Sequence, residues 1–318
     1  MKPLNPHMVR GACLIVIASV LWGVNYYILK IASDAVAPLT AAFLESLAGC
    51  VSAAMIYRIS PRSAAKALGT GGWRIILMGV LAVPVASALF IFGLRHIDLG
   101  VSSILEKTQP IFTVALAAFF LKEKLSFPSI CFGLLAFVGA VEVIPLAEEA
   151  SFFPKLEWEA IVGVSAVVAA ALAWAGAGVL GRNLAVSDEL GPARMAFLRA
   201  AIGMAVTLPL VLAFELQEIR GEMPWKSVGL LFLSGAFDIS VCCVLYYQGM
   251  KYVQAGVASI VEVLTPLTAV LLGVVLLGEQ LVLRQWLGAV IVLVSVTALV
   301  INEIRRHEKS TAALEKHV

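Results

Sequence analysis

The chain has 318 residues, of which 61% are apolar and only 14% are charged, and its formal net charge is +2. Because a soluble globular domain carries roughly a quarter charged residues, this composition excludes that class and predicts an integral membrane protein. The small net charge gives no indication of nucleic-acid binding.

Ten apolar runs are each long enough to cross a bilayer as a helix, which takes about 20 residues. In chain order the predicted spans are 11–31, 37–57, 73–94, 101–121, 127–146, 160–180, 192–214, 227–248, 255–277 and 283–301. Lys2 and Arg10 precede the first run, as in a signal peptide. That run is too long for one and lacks a clean cleavage site, so we predict that it is a retained span.

Lysine and arginine residues predict how these spans are oriented. If both chain ends lie in the cytoplasm, 15 of the 23 Lys and Arg residues fall in cytoplasmic segments, six fall outside and two lie within spans. Cytoplasmic loops of membrane proteins carry an excess of these residues. We therefore predict a multi-pass protein of a bacterial inner membrane with cytoplasmic N and C termini.

The chain also contains an internal repeat. The segment GVSSILEKTQPIFTVALAAFFLKEKL begins at Gly100 and aligns without a gap with GVASIVEVLTPLTAVLLGVVLLGEQL, which begins at Gly256. Upstream, Trp22 pairs with Trp174. Five spans per copy is an odd number, so the second copy enters the membrane from the opposite side. Two such copies can exchange conformations around a shared binding site and open it to either side in turn.

The predicted fold class is therefore an all-α integral membrane protein of ten helices in two inverted five-helix repeats. Residues 1–146 form the first repeat and residues 160–301 the second. Residues 147–159 form an extracytoplasmic linker, and residues 302–318 form a cytoplasmic tail.

Three segments carry a resemblance to a known family. They are WGVNYYILK, from Trp22 to Lys30, and the segments around Pro110 and Pro266, which end in LKEKL and LGEQL. Together they resemble the EamA family of the drug/metabolite transporter superfamily, and the resemblance covers essentially the whole chain. It implies alternating access and export of small metabolites or amino acids. The first span lacks the glutamate of small multidrug-type relatives, so the resemblance does not carry over their proton mechanism.

Ionisable residues at membrane depth are the first candidates for the binding site. A charged side chain at the bilayer centre costs a few kcal/mol on insertion scales, so such residues must face protein or water. They are Glu45, Glu106, Lys107, Arg199, Asp238 and Glu262.

Glu106 and Glu262 occupy equivalent repeat positions, each four residues before a proline. They can bind an amine or accept coupling protons; alternatively, Glu106 forms a structural ion pair with Lys107 or Arg199. Since neighbouring residues on a helix point about 100° apart, we expect Lys107 to contact another span rather than Glu106.

Glu45 and Arg199 also share a repeat position, with opposite charges. They can hold the amine and the carboxylate of a zwitterion, a role for which the bidentate guanidinium is well suited. The alternatives are ion pairs that pack helices, or an Arg199 side chain that reaches toward the cytoplasm. Asp238 either faces a cavity or makes an interhelical hydrogen bond.

Aromatic residues complete the predicted site. Trp22, Asn25 and Tyr26 lie on one helix face and offer rings and polar tips to an aromatic or amphipathic ligand, unless they anchor the helix at the membrane interface. Tyr246 lies two turns from Asp238 and can share its face. Trp174 is a weaker candidate because its neighbours are small and favour close helix packing.

The sequence thus predicts a secondary transporter that exports small metabolites, amino acids or drug-like amphipathic molecules, with proton coupling as one option. A flippase for lipids or lipid-linked sugars on the same fold is the alternative. An intramembrane enzyme is not expected, because there is one membrane aspartate and no HExxH motif. We predict no cofactor and no metal site. The expected partners are the small-molecule substrate, the bilayer and protons, and the chain is a monomer or a homodimer.

Overall fold

The computed structural model describes residues 6–121, 126–144, 157–186, 190–217, 223–252 and 261–315. Within these ranges the regular structure is helical, with no strand.

The first half of the chain contains seven described helices and one π-helical segment. They are α1 (Pro6–Ser33), α2 (Pro38–Ile56), α3 (Pro61–Val80), the π-helical segment Leu81–Ser87, α4 (Ala88–Leu94), α5 (Leu99–Glu106), α6 (Gln109–Leu121) and α7 (Phe127–Val143). Helices α2 and α3 begin at a proline, whose fixed φ suits the first helical position.

The described part of the second half repeats this pattern. It contains α8 (Trp158–Val186), α9 (Pro192–Phe214), α10 (Trp225–Phe237), the π-helical segment Asp238–Cys242, α11 (Cys243–Gly249), α12 (Leu264–Leu272), the π-helical segment Gly273–Leu277 and α13 (Leu283–Glu315).

Seven helical stretches in the described ranges are long and apolar enough to cross a membrane. They are Val9–Ser33, Pro38–Ile56, Arg62–Leu94, Trp158–Gly181, Pro192–Phe214, Trp225–Gly249 and Leu283–Asn302. Two further apolar helices, Phe127–Val143 and Leu264–Leu277, are shorter. The protein is therefore an all-helical integral membrane protein, and the count of ten spans stays a prediction.

The predicted fourth span, 101–121, is interrupted. Helix α5 ends at Glu106 and α6 begins at Gln109. Pro110 explains the break, because its ring clashes with the carbonyl four residues earlier, at Glu106, and it has no backbone N–H to bond to that carbonyl. Hydropathy does not detect such a break. The start of the predicted ninth span, 255–260, lies outside the described residues.

Contacts between the two halves are reciprocal, since a helix of the first half packs on the second half and its equivalent packs on the first. Helix α1 packs against α10, α11 and α12, while α8, at the equivalent place in the second half, packs against α3, α4 and α6. Helix α2 contacts α10, and α9 contacts α3. The remaining large contacts, α2 with α9 and α7 with α13, join equivalent helices to each other. The halves therefore interlock rather than lie side by side.

The π-helical segments Leu81–Ser87 and Asp238–Cys242 lie in the third predicted span of each copy. Pro84 lies inside the first, where its missing N–H disturbs the regular ladder. Asp238 begins the second. Such turns rotate the side chains that follow and are frequent at functional sites.

Glu279 joins the two halves at one end of the bundle. Its carboxylate accepts hydrogen bonds from the backbone N–H groups of Leu99, at 2.6 Å, and Gly100, at 2.9 Å, at the start of α5. A carboxylate at this place satisfies free N–H groups and interacts favourably with the helix dipole. Glu279 therefore caps the start of α5. Glu123, its repeat equivalent, lies outside the described residues.

Candidate functional site

A cavity of about 150 Å³ lies between helices of both halves, at the depth of the apolar spans. One water molecule needs only about 10–15 Å³ of such space, so the cavity has room for a small organic molecule. All ten residues predicted to bind substrate line it: Trp22, Asn25, Tyr26, Glu45, Glu106, Lys107, Arg199, Asp238, Tyr246 and Glu262. Their participation in binding stays a prediction.

Helix α1 contributes one continuous face to this cavity. Trp22, Asn25, Tyr26 and Leu29, spaced three and four residues apart, all line it. Trp22 donates a hydrogen bond from Nε1 to Oδ1 of Asp238 at 2.5 Å. These side chains therefore face the interior of the bundle rather than the membrane interface.

Lys107 forms the ion pair with Glu106 that the sequence favoured less. Its Nζ atom lies 2.9 Å from Oε2 of Glu106 and 4.0 Å from Oε2 of Glu262. The expectation that Lys107 points away from Glu106 was wrong, because α5 ends at Glu106 and Lys107 has φ −71° and ψ 5° instead of helical angles. The angular spacing of a continuous helix does not apply at this break. The side chain of Lys107 also approaches another span, through Glu262.

Glu45 is buried between three helices. Ser234 donates a hydrogen bond from Oγ to Oε1 of Glu45 at 2.6 Å, and the side chain of Asn25 lies close to this carboxylate. A Cβ atom placed on Gly235 would overlap the backbone carbonyl of Glu45, so α10 and α2 are in backbone contact here. This close packing fixes the carboxylate in position.

Arg199 and Asp238 are connected through a thiol. Arg199 Nη1 donates to Sγ of Cys243 at 3.3 Å, and that thiol lies 3.9 Å from Oδ1 of Asp238. The side chain of Tyr247 lies close to Arg199. Among the described residues no carboxylate lies within 4.0 Å of its guanidinium nitrogens. Arg199 therefore lies in the cavity rather than reaching toward the membrane surface.

Rings form one wall of the cavity. The ring of Phe90 lies with its centroid 4.6 Å from that of Tyr26 and 5.3 Å from that of Trp174. Nε1 of Trp174 donates to the backbone carbonyl of Ala82, in the first π-helical segment, at 3.1 Å. Sequence reasoning underrated Trp174, although its repeat equivalence to Trp22 was the signal for it. Phe90 was not predicted, because the sequence does not distinguish it from the other apolar residues of its span.

A second aromatic cluster lies beside the carboxylates. The ring centroids of Trp22 and Tyr246 are 5.1 Å apart, and those of Tyr246 and Tyr247 are 5.9 Å apart. Tyr246 also lies close enough to Glu262 to interact with its carboxylate. Sequence reasoning missed Tyr247, which follows the predicted Tyr246 directly. The cavity thus combines aromatic surface with polar groups at its edges, as small-molecule sites do.

In the part of the chain that the structure describes, no group of His, Cys, Asp and Glu side chains is arranged to hold a metal ion.

One family model matches the chain twice, once in each half. The model of the EamA-like transporter family matches residues 9–144 and again residues 161–301. An uncharacterized transporter of Archaeoglobus fulgidus is 24% identical over 279 residues, which cover 88% of this chain and 94% of that protein. The uncharacterized transporter YoaV of Bacillus subtilis is 24% identical over 292 residues, with 90% and 94% covered.

The chain is also similar to a transporter with a named substrate and to a solved structure. The riboflavin transporter ImpX of Fusobacterium nucleatum is 26% identical over 221 residues, which cover 69% of this chain and 71% of that protein. A solved crystal structure superposes with a TM-score of 0.62 at 18% identity and covers 93% of this chain and 98% of its own. At this identity the structural match shows a common fold and nothing more.

Proposed function

Because the chain belongs to the EamA-like transporter family, we propose that it is a secondary transporter that exports a small metabolite, amino acid or drug-like amphipathic molecule. The relatives named above are transporters, and the chain covers nearly the whole length of two of them. We place the protein in a bacterial inner membrane with both termini in the cytoplasm, as the distribution of lysine and arginine favours.

One observation carries the proposal. The cavity lies at membrane depth between the two halves, and ionisable side chains from both of them line it. Ionisable residues inside a membrane are costly to bury and mark substrate or ion pathways. The acidic excess of the cavity does not favour the flippase alternative, for which we expect a basic groove.

The proposed mechanism is alternating access by two inverted repeats, residues 1–146 and 160–301. The exchanged helix contacts support this arrangement, as do the two separate matches to one family model. Inverted repeats of this kind place the substrate at the repeat interface and rock around it.

We further propose that proton exchange takes place at Glu106 or Glu262. Support comes from Lys107, which lies near both carboxylates. Protonation of either carboxylate removes its attraction to Lys107 and changes the charge balance of the cavity. Two buried carboxylates that share one cation are sensitive to the loss or gain of a single proton.

The experiment begins with a thermal-shift panel of amino acids, amines, nucleosides, drugs and riboflavin, since a true ligand raises the melting temperature by mass action. The ligand found is then used for flux into proteoliposomes. We expect the triple variant Glu106→Gln/Asp238→Asn/Glu262→Gln to reduce flux to the level of protein-free liposomes.

The matched control is Glu159→Gln, which removes an exposed carboxylate outside the cavity. It is expected to transport at the wild-type rate. Wild-type flux by a correctly folded triple variant would remove the proposed site.

A further inference from the structure

We infer that the substrate of the cavity carries an organic ammonium group, and that Lys107 competes with this group for the carboxylate of Glu262. The inference rests on the proposed transport function and deepens it by naming the class of substrate.

The charge balance of the cavity is the first argument. The described lining residues include four carboxylates but only two cationic side chains, Lys107 and Arg199, which gives a formal balance of −2. Buried charge is costly unless it is paired. A substrate with a positive charge improves this balance, whereas one with a negative charge worsens it.

The second argument is the position of two rings between two carboxylates. Trp22 donates its N–H to Asp238 at 2.5 Å, and Tyr246 lies close enough to Glu262 to interact with its carboxylate. The two rings are in contact, with centroids 5.1 Å apart. The Trp22 ring, whose polar hydrogen is bonded to an anion, has a more negative face, and such faces attract ammonium groups. An ammonium ion against this pair therefore meets aromatic faces and carboxylates together.

Lys107 is only weakly paired with Glu262. Lys107 Nζ is in direct contact with Glu106, at 2.9 Å, but stands 4.0 Å from Glu262. The buried Oε1 atom of Glu262 has no hydrogen-bond partner among the described residues. Lys107 also lies at the break between α5 and α6, where its backbone N–H bonds to the carbonyl of Ile104, at 3.0 Å, in place of the regular helical pattern. A substrate ammonium can thus take over Glu262 while Lys107 stays with Glu106.

An anionic substrate bound by Arg199 is the competing interpretation. Arg199 has no described carboxylate within 4.0 Å of its nitrogens. The thiol of Cys243, however, links it to Asp238, so a negative charge already lies beside the guanidinium. A second anion would be repelled by that carboxylate, and we therefore favour the ammonium ion.

The test measures binding of three probes to the purified full-length protein. Benzyltrimethylammonium has one ring and a permanent positive charge, neopentylbenzene is its neutral isostere, and phenylacetate is an anion. We expect the cation to bind at least about tenfold more tightly than the other two, since loss of one partner of a buried charge pair costs this much or more.

Substitutions of Glu262 and Lys107 test whether Lys107 and the cationic probe compete for the same carboxylate. Glu262→Gln is expected to weaken binding of the cation by about tenfold or more. Lys107→Gln, which removes the competitor, is expected to tighten it by about tenfold, the usual size of coupling between two sites. Glu159→Gln, outside the cavity, should bind as the wild type does.

Lys107→Gln alone leaves Glu106 unpaired. The double variant Glu106→Gln/Lys107→Gln removes both members of this ion pair. It should also bind the cation more tightly than the wild type does.

Three outcomes would overturn the inference. The first is equal binding of the cation and its neutral isostere. The second is tighter binding of phenylacetate, which would make the substrate an anion while the transport function stands. The third is unchanged binding of the cation by both Lys107 variants, which would end the role of Lys107 as competitor. The proposed transport function itself fails only if the flux into proteoliposomes is unchanged by substitution of the cavity residues.

Discussion

Replacing Gly178 with tryptophan is expected to stop transport while the protein stays folded. Gly178 lines the cavity, and a Cβ atom on it would meet nothing closer than Nε2 of Gln109, at 3.8 Å. A large side chain can therefore enter the cavity without pushing helices apart. An indole at this position occupies space in the cavity that a substrate needs. Flux in proteoliposomes should fall to the level of protein-free liposomes.

Gly178→Ala is the matched control, since one added methyl group fits the same space. It should transport at nearly the wild-type rate. Melting temperatures of both variants must stay close to that of the wild type for the comparison to hold. Undiminished flux through a folded Gly178→Trp protein would mean that the substrate takes another path.

Replacing Gly235 with alanine is expected to lower the stability of the protein by about 1–3 kcal/mol, the usual cost of overpacking. The added Cβ atom would overlap the backbone carbonyl of Glu45. A backbone atom cannot move aside as a flexible side chain can, so α10 and α2 must separate. The change also disturbs Glu45, which is held by Ser234 on α10. A lower melting temperature of the detergent-purified protein is the expected result.

Gly229 provides an internal control on the same helix. Nothing lies within 4 Å of a Cβ atom added there, so Gly229→Ala adds the same methyl group without a clash. It should match or slightly exceed the wild type in stability, because alanine favours a helix over glycine. Equal melting temperatures for the two alanine variants would show that the close packing of α10 on α2 does not constrain the fold.

The membrane class, and the ionisable residues that meet in the cavity, could be predicted from the sequence for one physical reason. Charged and polar groups are expensive in lipid, so those in apolar runs must face one another. Glu45 and Asp238 are 193 positions apart in the chain, yet both line the same cavity. No pattern of local residues was needed for that prediction, only the cost of burial.

The rest depended on backbone geometry that composition does not reveal. The break after Glu106 brought Lys107 next to that carboxylate, against the expectation from a continuous helix. The π-helical segments, one of which begins at Asp238, change which side chains face inward. Phe90 is one of many apolar residues in its span, and only the fold distinguishes it as a cavity residue.

The central claim is that this cavity is the transport path and opens in turn to each side of the membrane. Ser87 lines it and is small enough for a cysteine to replace it. The most direct measurement is labelling of Ser87→Cys, in a protein whose five native cysteines are replaced, with a membrane-impermeant thiol reagent. Vesicles of both orientations are used, with and without transported ligand. We predict labelling from both sides, in proportions that ligand changes. Labelling from one side alone under every condition would contradict the account.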